Sequence, residues 1–197
     1  MQQFTKSDFK IIEHTTAFKG YFSIEKYKLC FKLFAGGWSD EVTREVFERG
    51  SAVAVIPFDP ITKQLVLVEQ FRIGALTDKK SPWLLEPVAG IIGPNETLEE
   101  VARREMQEEA GIFRVKKLTP LYDYWVSPGG CTEHLILFYA EIDIKNIGTL
   151  CGLVNEHEDI KVHVFTLAEA KKMLQDGTIN TAIGIVALQW LLLNNLS

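Results

Sequence analysis

The chain has 197 residues, 47 % of them hydrophobic and 24 % charged, a balance that excludes a disordered, collagen-like or disulfide-stapled protein. That length suits one domain with an appendage better than two full domains. With 21 Lys and Arg against 26 Asp and Glu, the net charge is −5, which argues against a sequence-independent grip on nucleic acid.

The excess of acid is local. Between Glu86 and Glu109 there are seven acids and two bases, so this window alone accounts for it. The longest apolar run, Ala182 to Leu193, contains Gly184 and Gln189 and falls short of the about 20 residues that cross a bilayer. A core helix, and no membrane partner, is expected there. The first residues lack the pattern of a secretory signal, and Cys30, Cys131 and Cys151 cannot all pair with one another, so a reduced, cytoplasmic setting is expected.

Along the chain, aromatic and β-branched residues from Phe18 to Arg49, with alternation at Tyr21–Ile24 and Glu41–Val46, predict strands of an N-terminal β arm over residues 1–49. Two apolar runs, Ser51–Phe58 and Gln64–Arg72, flank Asp59-Pro60-Ile61-Thr62-Lys63 and predict a hairpin. A short run at Leu84–Ala89, a helix from about Thr97 to Ala110, and strands near Leu121–Val126, Glu133–Ile142 and Ile160–Phe165 follow. Two helices close the chain, one over Leu167–Gln175 behind the capping box Thr166–Glu169 and one over Thr181–Leu193. The mixture implies α/β or α+β layering. His163 alternates with Val162 and Val164 and is expected at a sheet face; His14 and His134 suggest no partner, and Cys30 reads as a small core residue.

The helix at Thr97 breaks local rules. It opens with a capping box, Thr97 to Glu100, and Gly111 is placed to end it in a left-handed conformation. At 100° per residue, Leu98, Val101 and Ala102 share a face with Glu105 and Glu109, with Glu108 on the flank. Three carboxylates at the negative end of a helix dipole repel one another and the dipole. Such a violation on an inward face points to function. Carboxylate oxygens suit a hard cation such as Mg²⁺, Mn²⁺ or Ca²⁺, and no Cys/His cluster suggests Zn²⁺.

The string Gly90, Glu96, Arg104-Glu105, Glu108-Glu109, Gly111, Ile112 resembles the signature of the Nudix hydrolases. The resemblance implies the Nudix fold, an α/β/α sandwich around a mixed sheet, over residues 50–197. It implies hydrolysis of a nucleoside diphosphate linked to another group, with divalent cations held by Glu105, Glu109 and Glu108 and by the carbonyl of Ala89. Glu96 and Arg104 take structural roles in the motif, and Gly90 and Gly111 are explained by backbone geometry.

Outside that motif the chain resembles the ADP-ribose pyrophosphatases of this family. Arg72 ends a strand where the subfamily contacts substrate. Ser127-Pro128-Gly129-Gly130 with Glu133 resembles the ADP-ribose loop, Pro128 lying sixteen residues past Ile112, although Cys131 stands where Thr is expected. The acidic stretch Gly152–Asp159 resembles the catalytic loop, with Glu156 as general base and Glu158 as a further metal ligand. The arm resembles an exchanged dimerisation arm, with Tyr21, Phe22, Arg44, Glu45 and Arg49 at the adenine site. The resemblance therefore implies a homodimer that uses two or three Mg²⁺ ions, or Mn²⁺, to split ADP-ribose into AMP and ribose 5-phosphate. The alternatives are another nucleotide sugar, GDP-mannose or ADP-glucose, and a non-catalytic module that binds ADP-ribose. RNA decapping is disfavoured because no basic stripe is present.

Overall fold

The computed structural model describes residues 3–195, which form two compact units. The first comprises the chain up to Gly50 together with Trp125–His134. Its strands β1 (Phe9–Lys19), β2 (Ser23–Phe31) and β3 (Val42–Glu48) make an antiparallel meander, with Phe9 opposite Phe31 and Ser23 opposite Glu48. β1 begins well before Phe18, where the sequence suggested the strands start. Tyr21 and Phe22 are not strand residues: they form the bend between β1 and β2, and only Ser23 and Ile24 enter the sheet.

His14, for which no partner was expected, lies 2.7 Å from a Glu25 oxygen and stacks on Tyr27 at 4.3 Å. Cys30 is half-buried rather than a core residue. Phe47 of β3 anchors the Trp125–His134 segment: its N–H donates to the Gly130 carbonyl at 2.9 Å, and its carbonyl accepts from Thr132 at 3.0 Å.

The second unit contains β4 (Ala52–Asp59), β5 (Gln64–Phe71), β6 (Trp83–Glu86), β7 (Val88–Ile91), α1 (Leu98–Ala110), β8 (Val115–Trp125) and β9 (His134–Ile142) apart from their end residues Trp125 and His134, β10 (Leu150–Cys151), β11 (Ile160–Thr166), α2 (Leu167–Gln175) and α3 (Ala182–Asn195). The sheet runs β10-β11-β5-β4-β9-β8, with β6 paired to β5 and β7 to β4. It is mixed, because β4 lies parallel to β9 and antiparallel to β5 and β7. Between β4 and β5 the Asp59 carboxylate accepts from the Ile61 and Thr62 N–H groups at 2.9 and 3.4 Å, which shapes the turn.

Every residue of β4 is buried, as expected of a strand covered on both faces. Val53 and Val55 join Val66, Val68, Val101, Ala102, Met106 and Ala110 in one core beneath α1. On the opposite face Phe58 meets Tyr139, and Tyr139 meets Trp190 of α3 with ring centroids 5.5 Å apart. Helices on both faces of a mixed sheet make the α/β/α sandwich.

Two expected elements change. The run Leu84–Ala89 is two strands, β6 and β7, separated by Pro87 and paired to different neighbours. β8 starts at Val115 rather than near Leu121 and runs through Pro120; its place at the end of the sheet tolerates the missing donor. His163 sits on β11 with Nε2 2.7 Å from a Glu69 oxygen. Among the described residues no helix is long and apolar enough to cross a membrane.

Candidate active site

Local chemistry sets both ends of α1. The Thr97 hydroxyl accepts from the Glu100 N–H while the Glu100 carboxylate accepts from the Thr97 N–H, and Gly111 closes the helix at φ 62°. No basic residue occupies the last turn. The buried face carries Val101, Ala102, Met106 and Ala110 together with Glu105 and Glu109, whose exposures are 8 % and 2 %. Leu98, in the first turn, is left partly exposed, so Met106 and Ala110 complete the stripe that the sequence assigned to it.

Facing this helix is the other half of the site. Alternate residues of β5 point to one side of the sheet, so Val66, Val68 and Gln70 pass from apolar core to a polar end. Gln70 donates to one oxygen of Glu109 at 3.0 Å, and the Ala89 N–H donates to the other at 2.9 Å. Burial nevertheless pushes the Glu109 carboxyl up to about 8, outweighing those donors and the nearby Arg72 charge. Burial also raises Glu105; Arg104 opposes the shift, and the charges of Glu108 and Glu158 reinforce it.

Arg104 is the hub of the exposed side. Its Nε and Nη2 bind Glu96 at 2.8 and 3.2 Å, and its Nη1 binds Glu105 at 2.7 Å and Glu108 at 3.0 Å. Glu96 in turn accepts from the Gly93 N–H at 2.8 Å. The guanidinium thus joins the loop before α1 to the carboxylates on it.

The acidic stretch docks on the end of the same helix. Gly148 donates to the Ala110 carbonyl at 2.8 Å and Gly152 to the Glu108 carbonyl at 2.9 Å, satisfying acceptors that a helix end otherwise leaves open. Glu158 accepts from the Leu153 N–H at 3.2 Å, and its charge is felt at Glu105. Glu156 is exposed at the end of the single turn Val154–Glu156.

Among the described residues no three metal-ligating side chains already converge on one point: Arg104 holds Glu105 and Glu108, while Gln70 and Ala89 hold Glu109. The donor set still fits a hard divalent cation. Glu109 has no positively charged hydrogen-bond partner and Glu105 shares Arg104 with Glu96 and Glu108, while burial raises both carboxyls, a cost that a bound cation removes. Space is also reserved for them, because a Cβ built on Gly90 would fall onto the Glu105 carboxylate. Gly90→Ala is therefore expected to displace Glu105 and weaken Mn²⁺ binding by about tenfold or more; an electron paramagnetic resonance titration checks this.

In the first unit, Arg49 Nη1 lies 2.8 Å from a Glu133 oxygen, and its guanidinium sits 5.9 Å from the centre of the Phe22 ring. Tyr21 is 87 % exposed and meets Phe22 edge-on. Arg44 donates to the Thr43 carbonyl at 2.9 Å, and Glu45 lies opposite Lys26 on β2. Ser127, Pro128 and Gly129 form an exposed turn in which the Ser127 carbonyl accepts from Gly130 and Cys131.

Two residues of the second unit escaped the sequence reading, Gln70 and Glu86. Each sits beside a residue that was singled out, Gln70 on Glu109 and Glu86 on Arg72. A polar residue at the end of an apolar strand was the available signal.

Comparison with known proteins gives the family. The NUDIX domain model matches residues 48–182, and the chain belongs to the NUDIX family. It is 43 % identical over 192 residues to the ADP-ribose pyrophosphatase of Escherichia coli (strain K12), covering 98 % of this chain and 91 % of that protein. It is 33 % identical over 184 residues to the GDP-mannose pyrophosphatase of Pectobacterium atrosepticum, covering 93 % of each. A crystal structure described as an ADP compounds hydrolase shares the fold with a TM-score of 0.69 at 22 % identity, over 93 % of this chain and 94 % of that one.

Proposed function

We propose that this protein hydrolyses the diphosphate of ADP-ribose, giving AMP and ribose 5-phosphate. The observation that carries the substrate assignment is the similarity to an ADP-ribose pyrophosphatase along nearly the whole chain. GDP-mannose is the second reading, supported by the more distant relative. The buried carboxylates of α1 supply the chemistry.

In this reading the cofactor is Mg²⁺, with Mn²⁺ as the alternative, as two or three ions held by Glu105, Glu108, Glu109, Glu158 and the Ala89 carbonyl. When bound, such ions neutralise phosphate oxygens and acidify water. Glu156 accepts a proton from the attacking water; the water oxygen bonds to one phosphorus, and the bridging oxygen leaves with the other. Arg72 binds the diphosphate. Tyr21, Phe22, Arg44, Glu45, Arg49, Ser127, Pro128, Gly129 and Glu133 recognise the rest of the substrate.

The same reading divides the chain into an arm, 1–49, that pairs two copies as a homodimer, and a hydrolase domain, 50–197. A cytoplasmic setting agrees with the three free thiols, Cys30, Cys131 and Cys151. The test is AMP or GMP release from ADP-ribose, ADP-glucose and GDP-mannose at equal concentration with Mg²⁺. ADP-ribose is expected to be turned over fastest, at least about tenfold ahead in kcat/KM. A faster GDP-mannose reaction would overturn the assignment.

A further inference from the structure

The polar end of β5 continues past Gln70 to Arg72, and the backbone there is fixed on both sides. The Arg72 N–H donates to the Pro82 carbonyl at 2.8 Å, and the Arg72 carbonyl accepts from Ala75 at 2.9 Å. The side chain is fixed by a third contact, its Nε 2.6 Å from a Glu86 oxygen. Glu86 ends β6, opposite Val68 in the β5–β6 ladder. Paired residues project to the same side of a sheet, so Glu86 lies on the side that carries Val68, Gln70 and Arg72, the side of Glu109.

Glu86 is only 8 % exposed. A carboxylate taken out of water needs a charged partner, and Arg72 is the one that the described residues supply. The contact is made through Nε alone. It leaves Nη1 and Nη2, the pair of donors suited to phosphate oxygens, outside the contact with Glu86, on a side chain that is 40 % accessible. The Arg72 charge is also felt at Glu109, so the held guanidinium stands near the carboxylates of α1.

We propose that Glu86 is a positioning residue: it holds Arg72 through Nε so that the two terminal amino groups face the substrate diphosphate. The assignment rests on the reading above in which Arg72 binds that diphosphate. A buried ion pair is a costly way to add stability, but it gives a flexible side chain one orientation before substrate arrives. Arg72 alone would spread over several rotamers and recover that order only on binding.

A double-mutant cycle tests this. Glu86→Gln, Glu86→Ala, Arg72→Ala and the Glu86→Ala/Arg72→Ala pair are compared for kcat and KM with ADP-ribose and Mg²⁺. In parallel, calorimetry measures the Kd of α,β-methylene ADP-ribose, and paramagnetic resonance the Mn²⁺ affinity without nucleotide. Glu86→Ala is expected to raise KM and the analogue Kd about tenfold, with Glu86→Gln intermediate because its amide oxygen still accepts from Nε. In the Arg72→Ala background the same change is expected to have less than about a twofold effect. Mn²⁺ affinity stays within about twofold throughout.

An equal loss with and without Arg72, or a tenfold fall in Mn²⁺ affinity, overturns the proposal, because Glu86 would then act on the fold or the metal ligands. If the unaltered protein binds the analogue without hydrolysing ADP-ribose, the functional reading fails and the cycle in Kd still decides the role of Glu86. If it binds nothing, both fall.

Discussion

Replacing Glu109 by Gln is expected to cut turnover at least about a hundredfold while making the metal-free protein more stable at pH 8. Loss of activity follows if Glu109 is a metal ligand, since even a neighbour of a ligand costs about tenfold to a hundredfold in affinity or activity when changed. The gain in stability follows from burial. The Glu109 carboxyl is 2 % exposed and is pushed up to about 8 in the folded chain, while in the unfolded chain it titrates near the ordinary value of 4.5. Between those two values the folded state holds a proton that the unfolded state has lost. Stability is therefore fully present below about pH 4.5 and declines as pH rises through about 8, at up to about 1.4 kcal/mol per pH unit.

Gln cannot lose that proton, so this part of the slope should vanish. Denaturant midpoints of the two proteins from pH 5 to 9, without divalent ions, check it. Adding Mn²⁺ at pH 8 should then raise the midpoint of the unaltered protein, by mass action on the folded state, and leave the Gln variant unmoved. An unchanged pH slope would remove Glu109 as the group whose burial sets it, and equal stabilisation by Mn²⁺ would remove Glu109 from the metal site.

Glu156→Gln carries the second large effect, and its pattern is the opposite. A positioned base contributes about 10² to 10⁴ in rate, so kcat should fall by that factor with KM and Mn²⁺ affinity little changed. Glu156 is exposed, and a surface substitution of this kind shifts stability by no more than about 0.5 kcal/mol. A fall of less than tenfold in kcat would shift the role of base to another group, Glu158 being the nearest carboxylate in that stretch. The two substitutions separate holding a cation from moving a proton.

The features legible in the sequence were those whose physics is local. Thr97, Glu100 and Gly111 mark α1 to within a residue because caps act over three or four positions. Asp59 marks the β4–β5 turn for the same reason. β1 was missed because all eleven of its residues are exposed in this chain, so no alternation of burial shaped its composition. β8 was expected only from near Leu121, whereas it begins at Val115 and includes Pro120, which an edge strand accommodates.

Long-range contacts left no such mark. Gln70 meets Glu109 across 39 positions, and Glu86 meets Arg72 across 14; only the register of β5 against β6 and α1 brings them together. A sequence reader sees an arginine at a strand end and a glutamate before a proline. The ladder turns them into a pair.

The parallel pairing of β4 with β9, Ala52 beside Leu135, bears on how this chain acquires its structure. The central strand of the sheet waits for a segment synthesised much later, so the entropy of closing that long loop must be met before its contacts give any return. During translation β5, β7 and α1 are available to β4 first, but its β9 edge stays unpaired until β9 leaves the ribosome, an interval in which the backbone N–H and C=O groups of that edge are open to the wrong neighbours.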